Sequence, residues 1–127
     1  DGARPLVTPE LIECVIDAAR RCGAAAPAIP VKDTIKEVRD GGAVERTVDR
    51  SSLRAVQTPQ VFDASLLKAA LQDAVENRIP ITDDCSAVER LGKVVFLVDG
   101  EEENLKITTP VDLILAEAIL RARENRT

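Results

Sequence analysis

The chain has 127 residues, room for no more than one ordinary domain, and 45% of them are apolar. Its only aromatic residues are two Phe, so the core must be built from Leu, Ile, Val and Ala rather than from an aromatic base-stacking platform. A net charge of −5 argues against non-specific binding to DNA or RNA, and no apolar run approaches the roughly 20 residues of a membrane span.

The three cysteines, Cys14, Cys22 and Cys85, are odd in number and show no C-x-x-C spacing. With no histidine in the chain, its own residues offer neither a usual zinc site nor a Ser-His or Cys-His dyad. Buried, reduced thiols of a cytoplasmic protein are the reading. The chain has no methionine, opens directly on Asp1-Gly2-Ala3-Arg4-Pro5 and shows no signal-peptide pattern. The expectation is that the first part of a longer protein is missing.

Taken in order, Thr8-Pro9 is a helix start, with a hydroxyl cap and proline at the first helical position. Leu11, Ile12, Val15, Ile16 and Ala19 then recur at helical spacing, and Gly23 ends the pattern. Ala24–Val31 reads as a buried strand, short or bulged because Pro27 and Pro30 suit a strand interior badly. Two short strands follow, Thr34–Val38 and Ala43–Val48, joined through Arg39-Asp40-Gly41-Gly42. Nearly every second residue of this hairpin is charged. A two-stranded ribbon is marginal alone, so it must lie against its own domain or another subunit; a solvated edge hairpin is the alternative.

Leu53–Gln57 is a further short strand, ending at Thr58-Pro59. Asp63 caps a helix to about Glu76, with Leu66, Leu67, Ala70, Leu71 and Ala74 inward. Thr82-Asp83-Asp84 opens a shorter helix that Gly92 ends. Val94–Val98 is predicted as a buried strand and Leu105–Thr108 as another. Thr109-Pro110-Val111-Asp112 opens the last helix with a reciprocal cap. Val111, Ile114, Leu115, Ala118 and Ile119 form its buried stripe, and the tail from Arg121 should fray. Strands alternating with helices predict an α/β layered sheet.

In such sheets ligands sit outside the carboxyl ends of strands. Asp1-Gly2-Ala3-Arg4, Thr58, and Lys106 with Thr108 fall at such places, and Thr82-Asp83-Asp84 lies at a helix start. Acids at a helix start serve equally well as caps. Asp1 beside Gly2 suits a sugar hydroxyl or Mg²⁺, or is a loop turn. Arg50 and Lys106 are candidate phosphate ligands, although a single Arg or Lys is usually a surface residue.

Five stretches, DGARP, VKDTIK, TVDRSSLRAVQTPQVF, TDDCSAVERLG and NLKITTPVDLILAEAIL, resemble in that order the C-terminal half of the 2-C-methyl-D-erythritol 4-phosphate cytidylyltransferases. The resemblance covers nearly the whole chain. It implies an α/β, Rossmann-like nucleotidyltransferase layered sheet, its N-terminal part missing, with residues 31–52 as a protruding hairpin arm. The implied reaction takes CTP and the sugar-alcohol phosphate to a cytidine diphosphate product and pyrophosphate, in non-mevalonate isoprenoid biosynthesis. Mg²⁺ is the implied cofactor. The implied assembly is a cytoplasmic homodimer, bound to neither nucleic acid nor membrane, whose arm reaches the neighbour's active site.

By motif, the resemblance implies that Arg50 and Thr34 approach the substrate phosphate from the partner subunit, while Lys106 holds it from the home subunit. The same resemblance implies Arg50 and Lys106 as the catalytic cations, and Asp1, Gly2, Arg4, Thr34, Thr58 and Thr82 as substrate-binding residues. The family's glycine-rich loop and the paired Arg and Lys that hold CTP belong to the half not contained here, so these 127 residues alone are expected to be inactive. Two rival readings are a pentitol-phosphate enzyme acting on ribitol 5-phosphate and a non-catalytic dimerisation fragment.

Overall fold

The computed structural model describes residues 2–127. Helix α1 (Pro9–Cys22) begins where expected: Thr8 Oγ1 accepts from Leu11 N at 3.2 Å, and Gly23 N–H closes the other end on Ala19 O at 2.7 Å. Its stripe of Leu11, Val15, Ala18 and Ala19 is buried against Ala25 of strand β1 (Ala24–Pro30). Ala24 faces the opposite way, into a second cluster with Ala70, Ala87 and Val88. That cluster is supplied by α2 (Ala64–Glu76) and α3 (Asp84–Arg90), with Leu66, Leu67, Leu71, Leu91 and Val95 packed around it. Adjacent residues of a strand point to opposite faces, so an alanine-rich β1 lets helices approach closely on both sides.

Strand β1 is central. On one side it pairs antiparallel with β4 (Arg54–Val56) through Ala28–Pro30 and with β5 (Val61–Phe62) through Ala24 and Ala25. On the other it pairs in parallel with β6 (Phe96–Asp99). Pro27 is fully buried in this unbulged seven-residue strand, contrary to the expected short or bulged one. It fits because it lies at the break between β4 and β5. Gln57 N–H donates to Pro27 O at 2.8 Å, and the donor proline lacks is replaced on Gln57 O by Gln60 Nε2 at 3.4 Å.

The charged segment forms the expected hairpin, β2 (Ile35–Val38) with β3 (Val44–Val48), as a separate two-stranded sheet. Gly41 and Gly42 take φ of 82° and 79° in its turn, which residues with a Cβ adopt poorly. Arg46 clasps Glu37 with two bonds of 2.6 Å, and Lys36 reaches Thr47 Oγ1 at 2.6 Å. No residue from Lys32 to Thr47 is buried.

Four expectations are corrected. The strand predicted over Val94–Val98 runs from Phe96 to Asp99 and is not buried: Phe96 is 53% and Leu97 45% exposed. It pairs only with β1 among the described residues, so its other edge is open. Leu105–Thr108 forms no strand among the described residues, although Ile107 N–H donates to Ala3 O at 2.7 Å. The segment beside it is turned at residues 2–6 and interrupted by Pro5, so it offers no ladder. Helix α4 (Pro110–Glu124) has the reciprocal cap of Thr109 and Asp112, but its predicted stripe faces out, with Val111, Ile114 and Leu115 exposed and only Ala116 buried. Periodicity locates an apolar stripe without specifying what covers it. Nor does the tail fray at Arg121, because Arg123 and Arg126 hold Glu103 at 3.0 and 3.1 Å and Arg123 also donates to Leu6 O at 3.0 Å.

Gly100 sits where β6 ends, and a Cβ there would lie 2.5 Å from Gln57 Oε1 and 3.2 Å from the backbone of Ala28. Gly100→Ala is expected to cost about 1–3 kcal/mol through overpacking, read as a lower thermal midpoint; an unchanged midpoint would show that Gln57 moves aside freely. The amides of Thr108 and Thr109 and their hydroxyls hold the Asp112 carboxyl below its ordinary value. A carboxyl depressed in the folded state stabilises above its unfolded pKa, about 4, and loses that contribution as pH falls through the folded value. Urea midpoints measured between pH 6 and 3 should therefore fall less steeply for Asp112→Asn than for the unaltered chain. Parallel slopes would remove this account of the cap.

Candidate anion-binding site

Three loops and the lead-in to α3 meet beside the open end of β4. The turn at residues 2–6 carries Arg4, the break after β4 carries Thr58 and Gln60, the start of α3 carries Thr82 and Asp83, and the segment after β6 carries Lys106. Together they line a cavity of about 240 Å³. A hollow of about 400 Å³ shares Thr58, Gln60 and Asp83 with it but adds Asp84 and no cation. For an anion the smaller cavity is the better host, because it alone has Arg4 and Lys106 on its wall.

The wall is held by polar side chains that have other work. Asp83 accepts from Ser86 N at 2.7 Å as the cap of α3 and from Gln60 Nε2 at 3.0 Å. Gln60 Oε1 accepts from Cys85 N at 3.1 Å, which joins α3 to the break in the sheet. These bonds occupy Asp83 as a cap and keep the lead-in to α3 in place. Arg4 Nη1 donates to Asn104 O at 2.6 Å, and burial lowers the Arg4 pKa from its ordinary value. Lys106 is exposed and makes no hydrogen bond or ion pair to another described residue. It is the cation left for a ligand.

Four of the eight residues singled out from sequence, Arg4, Thr58, Thr82 and Lys106, lie on this one cavity. Gly2 is exposed and does not line it. Asp1 lies outside the described residues. Thr34 and Arg50 are on the exposed hairpin arm and also do not line it; Arg50 Nη1 donates to Lys32 O. Sequence reasoning missed Gln57, Gln60 and Asn104. The two glutamines flanking Thr58-Pro59 are a faint signal, since they bracket a turn that needs donors. Asn104 follows three glutamates and reads as solvated loop, yet it is 1% exposed.

A mixed sheet covered by helices on both faces, with a separate two-stranded arm and a cation-bearing cavity, defines a layered α/β protein suited to a phosphorylated ligand. The family model for 2-C-methyl-D-erythritol 4-phosphate cytidylyltransferase matches residues 1–122, and the chain belongs to that family. A protein of that name from Desulforamulus reducens is 55% identical over 123 residues, covering 97% of this chain and 53% of that protein. Among solved structures, the enzyme of the same name from Thermus thermophilus is 45% identical with a TM-score of 0.85, covering 94% of this chain and 58% of that one. The 4-diphosphocytidyl-2C-methyl-D-erythritol synthase of Anaerococcus prevotii is 36% identical with a TM-score of 0.86, covering 95% and 54%. The chain thus spans about half the length of the curated relatives it matches.

Cys85 adjoins this site and is buried, whereas Cys14 and Cys22 are exposed, which corrects the expectation of three buried thiols. Burial, with the charges of Asp83, Glu89 and Asp84 adding to it, pushes the Cys85 thiol up to about 12. Only a thiolate attacks an aromatic disulfide reagent. At pH 8 two thiols should react in the folded chain and the third only in denaturant; fast reaction of all three would contradict this packing.

Proposed function

We propose that this chain supplies the sugar-phosphate side of a cytidylyltransferase, a nucleotidyltransferase that moves a cytidylyl group from CTP to 2-C-methyl-D-erythritol 4-phosphate. The products are 4-diphosphocytidyl-2-C-methyl-D-erythritol, an isoprenoid precursor, and pyrophosphate. The observation that carries the reading is the convergence of Arg4, Thr58, Thr82 and Lys106 on one cavity in a chain of that family. A phosphate oxygen of the sugar attacks the α-phosphorus of CTP and pyrophosphate leaves. Two anions must approach each other, so cations lower the repulsion and set the line of attack. Lys106 holds the sugar phosphate from its own subunit, and Arg4, Thr58 and Thr82 line the polyol and phosphate pocket.

Arg50 and Thr34 act in this reading across a homodimer, from the partner subunit's arm. Support comes from the arm itself: Ile35, Val38 and Val44 are exposed in the single chain, and Arg50 is far from fully used by its one bond to Lys32 O. Among the described residues no three His, Cys, Asp or Glu side chains are grouped to hold a metal. Mg²⁺ is ordinarily held by one or two carboxylates together with water and substrate phosphates, so the expected Mg²⁺ stays part of this reading as a companion of the CTP phosphates. Among the same residues no helix is long and apolar enough to cross a membrane, in keeping with a cytoplasmic placement.

Calorimetric titration of the 127-residue chain with methylerythritol phosphate tests the site. Binding is expected, and a charged hydrogen bond of about 1.5–3 kcal/mol predicts that Lys106→Ala weakens it roughly 10- to 100-fold. An equal mixture of Arg50→Ala and Lys106→Ala chains should recover tight binding at about a quarter of the sites, since half of random dimers are hybrids with one intact site. No binding at millimolar ligand would end the substrate reading. Binding by the unaltered chain with no recovery in the mixture would end only the crossed dimer.

A further inference from the structure

Asn104 is among the largest fully buried side chains of the molecule, in company with Val15, Val88 and Pro27. It does not line the cavity, yet it touches the elements that do. Its Nδ2 donates to Thr58 O at 3.0 Å and to Gln57 Oε1 at 3.2 Å. Its backbone oxygen accepts from Arg4 Nη1 at 2.6 Å, and it stands two residues before Lys106. One residue is therefore tied to the carriers of Arg4 and Thr58 and lies in the segment that carries Lys106.

The direction of these bonds is fixed by their partners. Gln57 Nε2 donates to Glu101 O at 2.8 Å, so its Oε1 is the atom that accepts from Glu101 N and from Asn104. Thr58 O is likewise an acceptor, so the nitrogen of Asn104 must face both. Its Oδ1 is left buried without a partner, as is Arg4 Nε. A buried acceptor without a donor costs stability, but an apolar residue of similar size would take the Nδ2 donor away from Thr58 O and Gln57 Oε1. What the amide supplies at this place is a pair of donated bonds that fix the segments of the cavity wall to one another.

We infer that Asn104 is a positioning residue for the phosphate-binding cavity: through Thr58 O, Gln57 and Arg4 it sets the spacing of Arg4, Thr58 and Lys106. This rests on the ligand reading above. The loss of Asn104 leaves the cations present but wrongly spaced, so it weakens phosphate binding through other residues rather than by contact.

The test is calorimetric titration of the 127-residue chain with methylerythritol phosphate and, separately, inorganic phosphate, beside thermal melts. Asn104→Ala is expected to weaken both ligands tenfold or more. Adding Lys106→Ala to Asn104→Ala should cost less than Lys106→Ala costs alone, because a misplaced ammonium has less to lose. Val15→Ala, in the cluster beneath α1 and on a helix that contributes no residue to the cavity, should lower the melting point without weakening either ligand. Asn104→Ser, which keeps one donor, should fall between and serves where the alanine variant does not fold. Binding by Asn104→Ala or Asn104→Ser no weaker than that of Val15→Ala, or fully additive losses with Lys106→Ala, would overturn the inference. Asn104-sensitive binding of inorganic phosphate without binding of the sugar phosphate would remove the substrate reading and leave the positioning role. Binding of neither ligand would overturn both.

Discussion

The candidate site depends on one side chain standing in for a strand. Gln57 bonds to both backbone groups of Glu101, through Nε2 to its oxygen at 2.8 Å and through Oε1 from its nitrogen at 3.3 Å. Those residues belong to opposite sides of β1, since Gln57 N–H donates to Pro27 O and Gly100 N–H donates to Ala28 O. The glutamine closes over the sheet only because residue 100 has no Cβ. Buried at 5% exposure, it joins the break after β4 to the loop after β6, and Arg4, Thr58 and Lys106 are all carried on the segments it helps to fix.

The chain treats its cations in two ways. Arg4 is half-buried and tied to a backbone oxygen, and Lys106 projects from a segment held at Ile107 and Asn104, so both have a rigid base. Arg50 stands on an arm with no core, whose shape comes from a turn of two glycines and from pairs such as Arg46 with Glu37. Exposed ion pairs of this kind contribute little, about 0–1 kcal/mol. A base of buried bonds suits a site in which spacing matters, and an arm with little to lose suits a surface that packs on another molecule.

Helix starts were legible in the residues because capping is local. Thr8, Asp63, Asp83 and Thr109 each accept from an amide two or three residues away, so the chemistry is contained in a stretch shorter than a turn. The charged hairpin was legible for the same reason. The exposure of β6 and of the α4 stripe was not, because an apolar pattern records what a segment would bury and not whether anything lies there. Pro27 misled for a related reason: a proline is wrong only where its missing N–H faces a strand, and here it faces the break between β4 and β5.

Taken alone, the residues determined the four helices, most of the strands, the arm, and the types of group able to meet a phosphate. Tertiary structure decided which of them meet. Arg4, Thr58, Thr82 and Lys106 are spread over most of the chain and share a cavity only because β1 draws β4 and β6 to its two sides. The burial of Asn104 was decided at the same level, since a hydrogen bond spanning 47 residues depends on the packing of the intervening sheet and leaves no trace in local spacing.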